Sequence, residues 1–172
     1  IVDAHSGGWG HIDVDEIRLS DRPPVEVFAD FEGETYGDWQ VEGAAFGPGP
    51  ARGRLADWQT ISGYLGERTV NSYYGYDEAT GKLVSPEFTV SRPFINFLIG
   101  GGNHPGETCI NLVVEGKVVR SATGHNTDAM RWASWNVGAL VGKRAHFEIL
   151  DTHTGGWGHT DIDHIEFSET PR

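Results

Sequence analysis

The sequence predicts an all-β fold, an antiparallel β-sandwich of two sheets, from three observations. First, the 172 residues include 24 glycines and 8 prolines, and aromatic residues make up 11% of the chain, a composition typical of turn-rich β proteins. Second, the apolar segments are short, and they alternate with polar residues or are rich in β-branched and aromatic side chains. Third, no segment sustains the 3.6-residue apolar period of a helix. Many short strands separated by turns favour two antiparallel sheets packed face to face.

Six strands are predicted in chain order, and each is a short apolar or alternating run bounded by turn residues. They span residues 25–31, 95–100, 109–114, 117–123, 144–150 and 162–167. Glu115 and Gly116 join two of them across a gap of two residues, which predicts a tight hairpin. The segment TDAMRWASW, residues 127–135, could hold one short helical turn. Because the first and last strands of a sandwich are commonly neighbours, we expect residues 25–31 to lie beside residues 162–167.

The beginning of the chain repeats its end. Residues 1–24 and 149–172 align at a constant offset of 148, and 13 of the 24 positions are identical, including the whole of GGWGH. Self-similarity over such a segment indicates tandem copies of one unit. We therefore predict that residues 1–24 are the C-terminal remnant of a preceding copy plus a linker, and that residues 25–172 form one complete module. The paired prolines of SDRPP favour an extended linker at this boundary.

Charge and composition exclude several classes of function. The formal net charge of −12 arises from 25 acidic and 13 basic residues, which disfavours binding to the phosphate backbone of nucleic acids. No run of about 18 apolar residues predicts a membrane-spanning helix, and no signal peptide opens the sequence. We therefore expect an export signal to lie upstream or to have been removed. The single cysteine, Cys109, excludes an internal disulfide, and its apolar neighbours predict a position in the core.

Two glycine-rich loops are the first candidates for a binding site. GGGNHPGE, residues 100–107, is not a nucleotide-binding loop, because a proline and the following strand leave no helix N-terminus for a phosphate. Glycines around Asn103 and His104 would let backbone and polar side chains approach a small ligand, although a tight turn explains them equally well. GGWGH, residues 155–159, places an aromatic face and an imidazole beside bare backbone, a pattern that suits a sugar. The alternative is that Trp157 fills the core.

Four acidic residues predict a metal site. Asp30 and Glu32 lie at the end of the first strand, and Asp161 and Asp163 lie at the start of the last strand. If these strands are neighbours, four carboxylates meet at one place. Oxygen ligands of this kind suit calcium, and the alternative is a set of solvated acidic positions at a sheet edge.

Zinc binding and catalysis are not predicted. His159 and His164 with Asp161 and Asp163 could suggest a zinc site. Strict alternation along the last strand, however, places Asp161, Asp163 and Ile165 on one face and His164 with Ile162 on the other, so the acidic pair and His164 diverge. No serine lies in a G-x-S-x-G elbow. Two carboxylates that catalyse glycoside hydrolysis would need a deep active site. A β-sandwich of this length has few residues outside its strands from which to build one. We therefore expect no enzyme activity within these residues.

Three strings carry a resemblance to a known family. They are DFEGETYGDWQVEGAAFGPGPARGRL, the segment from VNSYYGYDEATGKL to VVRSATG with GGGNHPGETCINL inside it, and the closing GGWGHTDIDHIEFSE. They resemble the β-sandwich module attached to bacterial levanases and other secreted enzymes of glycoside hydrolase family 32, and the resemblance covers residues 25–172. The sequence is similar to carbohydrate-binding module family 66, a β-jelly-roll group that binds β-fructans through terminal fructose. The W-x-N-D-P-N-G signature of the family 32 catalytic domain is absent from the sequence.

The resemblance implies a secreted, non-catalytic module that holds a parent glycoside hydrolase on levan or inulin. Its partners would be the polysaccharide and a catalytic domain in the same parent chain, whose effective concentration near chain ends would rise. A terminal sugar would occupy a pocket with charged or amide side chains and one ring wall. The residues that we predict for this pocket lie in glycine-flanked loops or at strand ends, and a structural role is the alternative for each: Arg52, Asn71, Asp77, Asn103, His104, Asp151, Trp157 and His159. For the whole module, the alternatives are a different glycan or a spacer without affinity.

Overall fold

The computed structural model describes residues 2, 4–9 and 24–172, which form two antiparallel β-sheets and confirm the predicted fold class. The first sheet contains β1 (Glu26–Ala29), β3 (Val70–Asn71), β6 (Phe94–Gly101), β9 (Thr127–Asn136) and β11 (Thr160–Ser168). The second contains β2 (Gln40–Gly43), β4 (Gly81–Val84), β5 (Phe88–Thr89), β7 (Thr108–Val114), β8 (Lys117–Thr123) and β10 (Arg144–Asp151). Short 3-10 helices span Tyr73–Glu78 and Gly138–Leu140.

The strand order places the sequence ends of the module side by side. The first sheet runs β1, β11, β6, β9, with β3 also paired to β11. The second runs β2, β4, β10, β7, β8, with β5 also paired to β10. The predicted pairing of the first and last strands is confirmed, since β1 pairs antiparallel with β11. The six predicted strands correspond to β1, β6, β7, β8, β10 and β11.

The hairpin between β7 and β8 is also confirmed. Its two linking residues, Glu115 and Gly116, have φ angles of 52° and 72°. Two successive left-handed residues are the signature of the type I′ turn, whose twist matches that of the flanking strands.

The possible helical turn at residues 127–135 is wrong, because this segment forms β9. Burial alternates along its first half: Asp128 and Met130 are buried, whereas Ala129 and Arg131 are exposed. β9 pairs with β6 from Phe94 opposite Asn136 to Ile99 opposite Arg131, and after a register shift Gly101 lies opposite Thr127. Pairing with a buried central strand therefore overrides the helical propensity of alanine, methionine and arginine.

Strict alternation also fails along β11. His164 has a φ of 47°, and the pairing register with β6 shifts between Asp163 and Glu166. A β-bulge of this kind places two residues opposite one and re-aims the side chains that follow it. As a result, both Ile162 and Ile165 belong to the hydrophobic core, and Ile165 does not share a face with the aspartates as expected.

The core lies between the two sheets and is formed by aliphatic and aromatic side chains from both. Phe28, Phe88, Phe147 and Phe167 form a cluster in which ring centroids lie 4.7 to 5.8 Å apart. Cys109 is buried as predicted, and burial raises the pKa of its thiol. In the described part of the chain, no helix combines the length and apolar character needed to cross a membrane.

Most of the predicted remnant, residues 1–24, lies outside the described residues, so its origin as a preceding copy stays a prediction. The described part includes one feature of the repeat. Trp9 has a φ of 62° and Trp157 a φ of 63°, and each ends a Gly-Gly-Trp turn. The repeated string therefore adopts the same local turn in both places.

Candidate functional site

A cavity of about 660 Å³ is lined by Arg52 and Trp157, two of the residues predicted for binding. Three segments form its wall: the long connection before β3, the beginning of strand β9 with the residue before it, and the loop that precedes β11. These segments are far apart in sequence, and the sheets bring them together. The lining residues are Arg52, Gly53, Arg54, Gln59, Thr60, Ile61, Ser62, Tyr64, Asn126, Thr127, Asp128, Ala129 and Trp157.

Trp157 offers an accessible ring to this cavity. Its exposed fraction is 38%, so the interpretation of this residue as a core plug is wrong. The ring stacks on the imidazole of His159, with centroids 5.6 Å apart and an interplanar angle of 29°. The next residue must be glycine, because a Cβ at Gly158 would lie 2.6 Å from the carbonyl oxygen of His153. The GGWGH string thus holds an indole face in place at the cavity wall.

Guanidinium groups supply positive charge to the same wall. The Arg52 Nη1 donates to Glu67 Oε2 at 2.7 Å, and the Arg54 Nη1 donates to the carbonyl oxygen of Asp57 at 3.0 Å. Both arginine side chains are more than half exposed, so further donors on each guanidinium face solvent. The wall can therefore donate paired hydrogen bonds to adjacent hydroxyl groups.

Asn71 is buried beneath the residues that line the cavity and does not face the cavity itself. Its Nδ2 donates to Gln59 Oε1 at 2.9 Å and to the carbonyl oxygen of Gly53 at 3.2 Å, and its Oδ1 accepts from the Tyr73 amide at 3.0 Å. Asn71 is 1% exposed, so the expectation of a direct ligand contact is corrected. Its hydrogen bonds instead fix two segments that line the cavity.

His159 is likewise buried, between two carboxylates. Its Nδ1 lies 3.2 Å from Asp77 Oδ1, and its Nε2 lies 3.0 Å from Asp128 Oδ1. Burial alone would lower the pKa of His159, but the hydrogen bonds with Asp128 and Asp77 and the negative charge of Asp161 outweigh it and raise the pKa to about 9. Because only 2% of the residue is exposed, His159 supports Trp157 and Asp128 from behind the cavity wall.

Asp151 is fully buried, which corrects its predicted role as a direct ligand contact. Neither carboxylate oxygen has a hydrogen-bond partner among the described residues. Burial raises the pKa of Asp151 to about 7. Its carboxyl group therefore lies beneath the site, close enough to Asp77 and His159 for their charges to affect it.

Asn103 and His104 support the cavity from outside its lining. The Asn103 amide donates to Asn126 Oδ1 at 2.8 Å, and Asn126 is a lining residue. The imidazole of His104 stacks on that of His153 with centroids 3.5 Å apart, and its Nε2 lies 3.2 Å from the carbonyl oxygen of Gly156. These contacts connect the 100–107 loop to the tryptophan loop, which agrees with the structural alternative for both residues.

The four acidic residues of the predicted calcium site separate into two groups. Asp30, Glu32 and Asp163 form one group. Burial raises the pKa of Asp163 to about 7, and the nearby charges of Glu32 and Asp30 act in the same direction. Glu32 accepts the amides of Glu67 and Arg68, and Asp163 accepts the Leu65 amide at 2.8 Å.

Asp161 belongs to the other group, with Asp128 and His159. One ligand atom from each of these three residues lies within 4.8 Å of the other two. Within the described ranges, the predicted set of four carboxylates does not form such a group. Asp161 and Asp163 precede the bulge and are two residues apart along β11, a separation of about 6.6 Å, so each carboxylate has different neighbours.

The sequence patterns did not predict several of the residues that line the cavity. They are Arg54, Gln59, Thr60, Ile61, Ser62, Tyr64, Asn126, Thr127 and Asp128. Most lie in irregular connections, where sequence periodicity gives no signal. Asp128 could have been found as the first inward residue of β9, had that segment been recognised as a strand.

One curated relative shares much of this sequence, whereas no family model matches the chain. The chain is 40% identical over 147 residues to ecdE of Aspergillus rugulosus, which is described provisionally as a glycosyl hydrolase. The match covers 84% of this chain but 21% of the relative, so the chain spans about a fifth of that protein's length.

Solved structures share the fold at low sequence identity. TmCBM61, a carbohydrate-binding module solved with β-1,4-galactotriose, has a TM-score of 0.53 at 19% identity, over 82% of this chain and 95% of its own. The K2 adhesin domain of Lys-gingipain has a TM-score of 0.52 at 16% identity, and the match covers 85% of this chain and 98% of that domain. A cyclase from Fischerella sp. TAU has a TM-score of 0.51 at 12% identity, and the match covers 83% of this chain and 96% of the cyclase chain. Because this fold occurs in binding modules and in an enzyme, function has to be argued from the site.

Proposed function

We propose that this chain is a non-catalytic glycan-binding module whose ligand is the terminal fructose of a β-fructan such as levan or inulin. One observation carries the proposal: the cavity places the accessible ring of Trp157 beside Arg52, Arg54 and Asp128. An indole face packs against the C–H bonds of a sugar, while guanidinium and carboxylate groups hydrogen-bond to its hydroxyls. The volume of about 660 Å³ lies within the range of small-molecule sites, roughly 300 to 1,000 Å³.

Support for a fructan comes from the resemblance to family 66 modules, and support for a glycan in general comes from the site. TmCBM61 was solved with a β-1,4-linked galactotriose, so a galactan is the second candidate on the same fold. We further propose that the parent protein is a secreted glycoside hydrolase whose catalytic domain lies outside these residues. The 40% identity to a small part of ecdE supports an attachment of this kind.

Native affinity electrophoresis in gels that contain levan, inulin, galactan or xylan tests the ligand. We expect retardation in the two fructans and normal migration in galactan and xylan. Retardation in galactan or xylan alone would replace fructan by another glycan, and normal migration in all four gels would indicate a spacer. Incubation with levan should release no reducing sugar, and sustained release by the purified chain would contradict the non-catalytic assignment.

We also propose a calcium site, reduced to Asp30, Glu32 and Asp163. One oxygen of the Asp163 carboxylate, Oδ1, is buried without a hydrogen-bond partner, and oxygen ligands are those that calcium prefers. Calcium chloride should raise the melting temperature of EDTA-treated protein by a few degrees. Asp163→Asn should abolish this rise, whereas an equal rise in the variant or no rise in the wild type would refute the site.

A further inference from the structure

We propose that Asp128, His159 and Asp161 bind one divalent transition-metal cation of the zinc class. The His159 Nε2 and the Asp128 Oδ1 are 3.0 Å apart, a spacing that two ligands of one cation can have. A carboxylate oxygen of Asp161 completes a set whose members all lie within 4.8 Å of one another. This site is distinct from the proposed calcium site, and it does not depend on glycan binding.

The surroundings of Asp161 support a role as a cation ligand independently of these distances. The residue is fully buried, and neither Oδ1 nor Oδ2 has a hydrogen-bond partner in the described part of the molecule. Buried carboxylates are ordinarily paired or bound to metal, because leaving one unpaired is strongly unfavourable. Gly100 lies opposite Asp161 on the neighbouring strand, and a Cβ there would lie 3.3 Å from Asp161 Oδ2, so only a glycine leaves the carboxylate unobstructed on this side.

Charge in the cluster also favours a divalent ion. Three acidic side chains, those of Asp77, Asp128 and Asp161, surround one imidazole. Acidic side chains beside a histidine nitrogen are a ligand set that suits a divalent cation of the zinc class. Proton release on metal binding is general for histidine ligands.

The ligand chemistry distinguishes zinc from calcium. One imidazole nitrogen and two carboxylates form a three-residue set that leaves further positions for water, as in open zinc sites. The Asp77 carboxylate lies 3.2 Å from Nδ1, the ring nitrogen that does not face the metal, and such a partner orients histidine ligands at zinc sites. Calcium prefers six to eight oxygens, which this set does not supply. Asp128 also lines the cavity, so the cluster borders a route to solvent.

Isothermal titration of the untagged, EDTA-treated full chain with zinc chloride tests the proposal, with calcium and magnesium chloride as comparisons. We expect one zinc ion per chain and affinities for calcium and magnesium at least a hundredfold weaker. Asp161→Asn should weaken zinc binding at least tenfold while retaining the shape of the side chain. Asp128→Asn should do the same and provides a second variant if the first does not fold, as judged by near-UV circular dichroism.

A surface pair of histidines requires its own control. His104 and His153 are stacked, and Glu107 Oε2 lies 2.6 Å from His153 Nδ1, so this exposed group could also attract zinc. His153→Gln should leave the stoichiometry and affinity unchanged if the buried site binds the ion. The proposal is overturned by an absence of zinc binding, by loss of binding in His153→Gln, or by affinities unaffected by both aspartate variants. A nitrogen NMR spectrum of the wild type gives a readout without substitution, since zinc should shift the Nε2 resonance of His159.

Discussion

Trp157 combines a strained backbone with an accessible ring, and this combination suggests a binding role. A left-handed φ is unfavourable for a large side chain and persists only where surrounding contacts hold it. Here the indole is held over His159 with 38% of the residue exposed. The sequence string GGWGH was sufficient to identify this residue as a candidate, because glycines around a tryptophan indicate a backbone that presents a ring.

Replacing this ring should therefore weaken binding more than stability. We expect Trp157→Ala to reduce affinity for levan about tenfold or more, equivalent to roughly 1.4 kcal/mol. Affinity electrophoresis over a series of levan concentrations measures the change. Trp58→Ala is the matched control, since Trp58 is 60% exposed and is not among the residues that line the cavity. Equal losses in the two variants would contradict a specific role for Trp157.

Asp151 makes a separate prediction about pH. Because burial raises its pKa to about 7, the folded state holds this proton more tightly than the unfolded state does. Its contribution to stability is therefore complete below about pH 4 and declines as the pH rises through 7. Asp151→Asn should flatten this decline and stabilise the protein at pH 8 relative to wild type, by on the order of 2 kcal/mol.

Urea unfolding at pH 5 and pH 8, in EDTA, measures the difference. Asp38→Asn provides the control, because it makes the same substitution at an exposed position. A wild type and an Asp151→Asn variant with parallel pH profiles would contradict an ionisable role for this buried group.

At the level of elements, β9 and β11 show where sequence patterns fail. The β9 segment contains residues that favour helices, but its pairing with β6 decides its conformation. In β11 the period of two is broken at His164, and the bulge returns Ile165 to the core. Neither outcome follows from local sequence, because both depend on the strand that lies opposite.

The segment after β11 carries an ion pair that stabilises the first sheet. Arg172 donates through Nε and Nη2 to the two carboxylate oxygens of Glu166, at 2.8 and 2.9 Å, and its guanidinium lies 4.6 Å from the ring centroid of Trp132. Burial would raise the pKa of Glu166, but the hydrogen bonds from Arg172 and Asn96 outweigh it and lower the pKa. The ion pair therefore stabilises the folded state at pH values above the ordinary pKa of glutamate. This stabilisation is lost as the pH falls through the lowered pKa of Glu166 in the folded state.

Arg172→Ala should destabilise the protein by roughly 3 kcal/mol at pH 7, since it leaves the fully buried Glu166 carboxylate without its cation. Denaturant unfolding followed by tryptophan fluorescence measures the change, which should shrink at pH 3.5. Arg144→Ala is the control: its ion pair with Glu87 is exposed, and we expect a cost below about 1 kcal/mol. Similar costs for both variants at pH 7 would show that burial of Glu166 does not govern this interaction.

For the molecule as a whole, the fold class could be predicted and the cavity could not. Short β runs and turn residues are local signals, and six of them identified strands correctly. The cavity, however, is formed by residues such as Arg54, Asp128 and Trp157, which come from three separate segments. Their meeting depends on the packing of loops at one end of the sheets. Residue type alone also failed to distinguish lining residues from the buried Asn71, Asp151 and His159 beneath them.

The strands also make a prediction about the boundary of the module. The strands of the described residues lie between Glu26 and Ser168, within the predicted module of residues 25–172. Deleting residues 1–23 should preserve a cooperative thermal transition and the retardation by levan. Deleting residues 1–30 should abolish both, because it removes β1 from its pairing with β11 and removes Phe28 from the aromatic cluster of the core. The two deletions distinguish a module that begins near residue 25 from one that begins earlier. If deleting residues 1–23 already unfolds the protein, the module begins before residue 24 and the predicted boundary is wrong.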